Sequence, residues 1–180
     1  MSETNNPKPD EKLIEQVVKV CADRGASAML RRYWSETTRH YAYPVLARLP
    51  IRDFDSPDAI AAALYGVNPN HKNGGQSPGQ ALRLLASANV GDFEAFERHF
   101  RRLLASESLD DLADQLHRHF KRLERAGLGL DYNSLVWDLR KWRNDREAVR
   151  TRWATDFWLK PAEIEAVKND GIAEPSEVSA

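Results

Sequence analysis

Residues 93–127 read FEAFERHFRRLLASESLDDLADQLHRHFKRLERAG. Phe93, Phe96, Phe100, Leu103 and Leu104 recur at three- and four-residue steps, which puts them on one face of a helix over about 92–105. Ser108 followed by Asp111 has the spacing of a capping box, with Asp in place of the usual Glu. Leu109, Leu112, Leu116, Phe120 and Leu123 form a second stripe at the same period, and Gly127 ends it. Two amphipathic helices joined by a short capped turn need further helices against which to bury their stripes.

The flanking sequence supplies them. Downstream, Asp131 can cap a helix carrying Leu135, Leu139 and Trp142, and a last helix holds Val149, Trp153 and Phe157 ahead of Pro161. Upstream, Leu13, Val17 and Val20 mark a helix over about 11–22 that Gly25 stops, and a second helix is expected over about 26–33. A third over about 37–49 contains Pro44, which must kink or restart it. Ser56-Pro57-Asp58 gives an N-cap, an N1 proline and an early acid, opening a helix to about residue 65. Residues 66–77, GVNPNHKNGGQS, form a turn-rich loop, and Ser77-Pro78 opens the next helix to about residue 88. Strand-like alternation is nearly absent, and Val, Ile and Thr are sparse. The expected fold is all-α, about nine helices in two packed bundles, residues 11–89 and 90–168. Residues 1–10 read as a disordered leader and 169–180 as an acidic disordered tail.

The chain has 180 residues, 26 Lys+Arg against 27 Asp+Glu, and a formal charge of −1. That sum conceals segregation. Residues 161–180 hold five acids (Glu163, Glu165, Asp170, Glu174, Glu177) and one base, Lys168, for a net of −4. Residues 13–160 hold 23 bases and 19 acids, a net of +4. Arginine dominates, 18 against 8 Lys, and its planar fork suits phosphate. Arg98, Arg101 and Arg102 share a helix face at i, i+3, i+4. Arg118, Arg122 and Arg125 repeat the pattern with Lys121 adjacent. Arg140, Lys141, Arg143, Arg146 and Arg150 follow, and Arg24, Arg31 and Arg32 stand near the start. Such faces can track a phosphate backbone or can be solvated surfaces with ion pairs; Glu94 and Glu97 stand four residues before Arg98 and Arg101, the favourable order for helix pairs.

Catalytic and metal patterns are absent from the sequence. The five histidines (His40, His71, His99, His117, His119) lack clamp spacing and read as surface residues; His117 and His119, two apart, point in different directions. Cys21 alone permits no internal disulfide and reads as a small, partly buried side chain, which fits a reducing, cytoplasmic setting. No stretch is apolar enough to span a membrane. No catalytic residue, metal or cofactor is expected. The glycine loop with Lys72, ahead of a helix N-terminus, leaves phosphate contact open. Tyr33, Trp34, Tyr41 and Tyr43 can pack or can stack on unpaired bases.

In order and spacing the chain resembles the CasB small subunit family of the type I-E CRISPR surveillance complex, Cascade. The resemblance is carried by GASAMLRR (25–32), SPGQALRLL (77–85), FERHFRRLL (96–104), LHRHF (116–120), LDYNSLVWDL (130–139), Trp142 and WATDF (153–157). It covers roughly residues 13–158. It implies a non-catalytic subunit that works with the backbone and large subunits of the RNA-guided complex and with a second copy of itself. It implies target DNA, as displaced strand or heteroduplex, as the nucleic acid stabilised during R-loop formation. By motif it points to Arg31, Arg32, Arg98 and Arg118 as nucleic-acid-binding, and by proximity to Lys72, Arg101, Arg102, Arg122, Lys141 and Arg143; Arg24 joins them on charge. The residues alone leave two other readings: a helical protein–protein adaptor with salt-bridged arginine faces, and a phosphate-handling enzyme built on Lys72.

Overall fold

The structure, a computed structural model, describes residues 9–88 and 93–159. The expected leader and tail lie outside the described residues, apart from the leader's last two positions. Nine α-helices run in order among the described residues: α1 Pro9–Cys21, α2 Arg24–Leu30, α3 Tyr43–Leu46, α4 Pro57–Val67, α5 Pro78–Ala88, α6 Phe93–Leu104, α7 Leu109–Arg125, α8 Tyr132–Trp142 and α9 Arg146–Trp158. Two 3-10 segments, Arg31–Trp34 and Arg39–Ala42, lie between α2 and α3. The fold is all-α, and the only extended pairing among the described residues is an isolated bridge between His71 and Leu130.

The caps do what their sequences require. Ser56 Oγ accepts from the Ala59 N–H, Ser108 Oγ from the Asp111 N–H and the Asp131 carboxylate from the Asn133 N–H. Ser77 and Gln80 form a reciprocal capping box, each side chain accepting from the other's backbone N–H at 3.2 Å. Gly127 closes α7 with φ +66°. The Gly127 N–H then reaches the Glu124 carbonyl and the Leu128 N–H the Leu123 carbonyl, both at 3.0 Å, a Schellman motif.

The helix expected over 37–49 restarts at Pro44 as anticipated, but only as the four-residue α3. Pro44 stands in the first turn of α3, where its missing N–H costs nothing, and only a 3-10 turn precedes it. The helix expected over 26–33 likewise gives way to a 3-10 segment after Leu30. The first helix ends at Cys21, before Gly25, because Asp23 turns to cap α2.

Buried side chains from all nine helices form one continuous cluster. The α4 helix, apolar apart from Asp58 in its first turn, lies against both α7 and α8, and α5 lies along α9. Phe96, Phe100 and Leu103 of α6 and the whole α7 stripe are buried; Phe93, expected in the core, is 40% exposed. Tyr132 is fully buried, and its hydroxyl donates to the Asn68 and Leu64 carbonyls, capping the C-terminal end of α4 from α8. Gly79 lets α5 meet α9: a Cβ there would stand 2.6 Å from the Trp153 carbonyl oxygen and 2.8 Å from Asp156 Cβ. Gly79→Val forces the helices apart and is expected to cost about 1–3 kcal/mol as overpacking, read as a drop in the thermal midpoint of several degrees.

Candidate nucleic-acid interface

The 3-10 segment Arg31–Trp34 and the C-terminal half of α7 line a cleft of about 490 Å³. Arg31, Arg32, Ser35 and Thr38 line one side, His117, Lys121 and Arg125 the other, with Trp34 and Val67 at the floor. Four cationic side chains share this space with one acid, Glu124.

Local folding explains the convergence. His117, Lys121 and Arg125 stand at i, i+4, i+8 and form one stripe along α7. The tightened 3-10 backbone after Leu30 turns Arg31 and Arg32 out while Tyr33 goes into the core, 5% exposed. Trp34 stacks on His117 with ring centroids 4.4 Å apart and planes within 8°, locking the segment to α7. Arg31 Nε donates to the Gly66 carbonyl at 2.7 Å, which anchors its guanidinium on the wall. The Arg32 guanidinium lies over the Tyr41 ring, 4.8 Å from its centroid. Arg32, Lys121 and Arg125 make no ion pair among the described residues, so their charge is available to a polyanion.

Arg122, one position past Lys121, faces the other way and covers the Phe96 ring of α6 at 5.1 Å. With Arg118 and His99 it surrounds His119. Thus α7 carries two cationic stripes, one toward the cleft and one toward α6. His119 is not the surface residue expected: it is 3% exposed and packs on Phe96. Burial, then the cations Arg122 and Arg118, bring its pKa down to about 4; burial with Lys121 and Arg118 does the same for His117. Both are therefore neutral at pH 7, and the charge of both stripes comes from Arg and Lys alone. A folded-state pKa lowered to about 4 against an unfolded value near 6.5 means the unfolded chain binds more protons in that window. Stability is expected to fall as pH drops from about 6.5 to about 4, and His119→Phe is expected to flatten that part of a denaturation-versus-pH curve.

The other expected site residues are dispersed. Arg98 and Arg102 are exposed on α6. Arg101 is exposed too, hydrogen-bonded to Glu97 at 3.0 Å and lying over Trp158. Arg118 is exposed on α7 and Arg24 at the start of α2. Lys141 lies over Trp137 with its Nζ 3.9 Å from the ring centroid, and 4.0 Å from Asp145. Arg143 borders a second hollow, lined by Glu36, Asp55, Asp110, Asp114 and Arg39, where acids prevail. Trp34 borders both hollows, so a basic cleft and an acidic one lie on its two sides.

Several arginines of the basic runs hold the fold instead. Arg140 makes a bidentate pair with Asp58, Arg150 donates to the Ser106 carbonyl, and Arg146 to the Glu107 carbonyl. The glycine loop is occupied by protein partners as well. Gly74 N–H donates to Asp131, Gly75 N–H to the Lys72 carbonyl, and the first turn of α5 is closed by its capping box. Lys72 itself is exposed. Among the described residues no three potential metal ligands converge, and no helix is long and apolar enough to cross a membrane.

Of the aromatic residues that could stack on bases, Tyr41 and Tyr43 are exposed (47% and 39%), Trp34 is half-buried and Tyr33 is core. Lys121 and Arg125 are the cleft-lining side chains that counting arginine faces undervalues. Their signal was the i, i+4 spacing from His117; which face meets the 3-10 segment is fixed only by packing.

Comparison with curated proteins gives no significant match. Among solved structures, a Cse2-family CRISPR-associated protein from Thermus thermophilus shares the fold at a TM-score of 0.65 and 23% identity, covering 84% of this chain and 99% of that one. CasB from Thermobifida fusca gives 0.61 and 23%, over 83% and 95%. A chain of a CRISPR RNA-guided surveillance complex gives 0.61 and 19%, over 90% and 96%. At these identities the likeness speaks to fold. The sequence itself carries the assignment: residues 26–158 match the model of CRISPR-associated protein Cse2, a span that includes the cleft and both α7 stripes, and the chain belongs to that family.

Proposed function

We propose that this protein is a non-catalytic subunit of a CRISPR RNA-guided surveillance complex. It holds nucleic acid without reading its sequence and stabilises the R-loop during interference. The observation that carries this reading is the convergence of Arg31, Arg32, Lys121 and Arg125 on one cleft. Guanidinium and ammonium groups lining a groove neutralise phosphates and release counterions irrespective of base sequence. Base pairing between guide and target supplies the specificity, so the protein needs no element that reads base edges. R-loop formation is nearly balanced, so a few phosphate contacts suffice to tip it. Membership of the Cse2 family and the fold shared with a chain of a surveillance complex support the assignment.

The partners that follow are the backbone and large subunits of the complex, a second copy of this chain and the target DNA. Fluorescence anisotropy with single-stranded oligonucleotides of unrelated sequence tests the binding half. Expected is an affinity that is indifferent to sequence, with log K falling linearly against log salt at a slope of about −3, from four phosphates at roughly −0.7 each. No binding at 20 mM salt contradicts the reading and favours the adaptor.

A further inference from the structure

The chain leaves the described fold beside α6. Arg83 of α5 donates to the Phe157 and Leu159 carbonyls at 2.7 and 3.0 Å, fixing the end of α9. Trp158 Nε1 donates to Glu97, and Arg101 lies over the Trp158 ring, 5.7 Å from its centroid. Phe93, Glu97 and Arg101 follow one another at four-residue steps on α6, so this stripe and Trp158 make one ledge. Phe93 and Trp158 are 40% and 36% exposed, and Arg98 and Arg102 flank the stripe, both exposed. The ledge is a helix face with apolar and cationic components; its one acid, Glu97, is paired with Arg101 and Trp158, and Phe93 rests on Phe157 with its outer face exposed.

The next stretch of the same chain has the complementary chemistry. Residues 161–180 carry the net charge of −4, and Ile164 and Val167 are interleaved with Glu163 and Glu165. Reach is ample: the six residues from Trp158 to Ile164 extend up to ~20 Å, whereas α6 from Phe93 to Arg102 is ~14 Å long. A tethered segment this close acts at an effective concentration of about millimolar, so weak attraction is enough to hold it.

We propose that the acidic segment 161–180 docks on the Phe93–Arg101–Trp158 ledge of α6, neutralises Arg98 and Arg102, and competes there with nucleic acid. The competition rests on the nucleic-acid reading above; the docking does not. The competition applies to a strand that runs from the cleft at Arg31, Arg32, Lys121 and Arg125 on to α6.

The test uses the full chain with a spin label at position 176 (Ser176→Cys). Cys21 is half-buried, its thiol pushed up to about 11 by desolvation, so it stays largely unlabelled at neutral pH. At 20 mM salt the amide signals of residues 97–102 are expected to lose at least about half their intensity. They are expected to recover at 0.5 M salt, where the Debye length shrinks to a few ångströms. Neutralising the segment (Glu163→Gln, Glu165→Gln, Asp170→Asn, Glu174→Gln, Glu177→Gln) is expected to abolish the loss and to raise low-salt affinity for a single-stranded oligonucleotide about fivefold, as for a segment docked four-fifths of the time. Absence of broadening at low salt overturns the docking whatever the oligonucleotide does. Broadening that appears only between a labelled and a separate isotope-enriched copy overturns it in favour of a second copy as occupant. Broadening with unchanged affinity in the neutral variant overturns the competition. Broadening in a chain that binds no oligonucleotide leaves the docking standing and removes the nucleic-acid reading instead.

Discussion

Replacing Arg32, Lys121 and Arg125 together by Gln is expected to lower single-strand affinity about a hundredfold at 0.1 M salt. The magnitude is the counterion-release term for three phosphates at roughly −0.7 per contact, taken between 1 M and 0.1 M salt. The salt slope is expected to flatten by about 2 in the same measurement. Arg31 is left in place because its Nε also holds the Gly66 carbonyl, so its loss confounds binding with folding. Arg32 and Arg125 are exposed, and none of the three targets makes an ion pair among the described residues. The thermal midpoint is therefore expected to stay within about 2 °C, as for surface substitutions within ±0.5 kcal/mol. Lys121→Arg preserves the charge and is expected to bind as the parent does. An equal loss on changing Lys141 and Arg143 to Gln, which lie near Trp137 and the acid-lined hollow, would show that bulk charge and not the cleft governs binding.

The largest stability effect is expected at Asp138. Its side chain is fully buried on α8; one carboxylate oxygen accepts from Trp153 Nε1 at 2.7 Å and the other pairs with Arg152, both of α9. Asp138→Ala removes one member of a buried ion pair and leaves the indole N–H of a fully buried Trp without an acceptor. Breaking such a pair costs about 3–5 kcal/mol; the low end applies, since the Arg152 side chain stays 37% exposed and can rehydrate. In a chain of this length that amounts to a fall of roughly 6–12 °C in the thermal midpoint. Asp138→Asn keeps an acceptor for Trp153 and is expected to lose less than half as much. Equal losses in Ala and Asn variants would place the stabilisation in the charge, not in the indole bond.

The sequence carried the fold at the positions where local rules decide. The stripes of α6 and α7, the serine caps at 56, 77 and 108, and the glycine stop at 127 are all local in origin, and each forms. The failures are equally physical. The region 37–49 restarts at Pro44 as its sequence requires, but what forms is a 3-10 turn and one short helix, far less than its periodicity suggests. Phe93 matches the apolar stripe by spacing yet lies at the first turn of α6, where one face of its ring stacks on Phe157 and the rest is exposed. His119 was legible as a histidine and not as a buried one, because burial depends on α6 packing across α7.

The site was half legible. Arg31 and Arg32 stand out on the 3-10 segment as charged neighbours of Leu30 and Tyr33. Their meeting with Lys121 and Arg125, ninety residues away, comes from the Trp34–His117 stack, which no spacing within one helix encodes. Nor does periodicity separate cations that face solvent from cations that tie helices together. Arg140 and Arg150 occupy the same apparent basic run as Lys141 and Arg143, yet one clamps α8 to Asp58 and the other holds the turn before α7.

A two-dimensional amide spectrum of the isotope-labelled full chain, titrated with a single-stranded oligonucleotide at 50 mM salt, tests the central claim most directly. The account expects the largest shifts at residues 31–38 and 117–125, the two walls of the cleft, with the Trp34 indole signal among them and with the same pattern for unrelated base sequences. Shifts confined to the acid-lined side of Trp34 (Glu36, Asp55, Asp110, Asp114), or no shifts at either wall while binding is measurable, would contradict it.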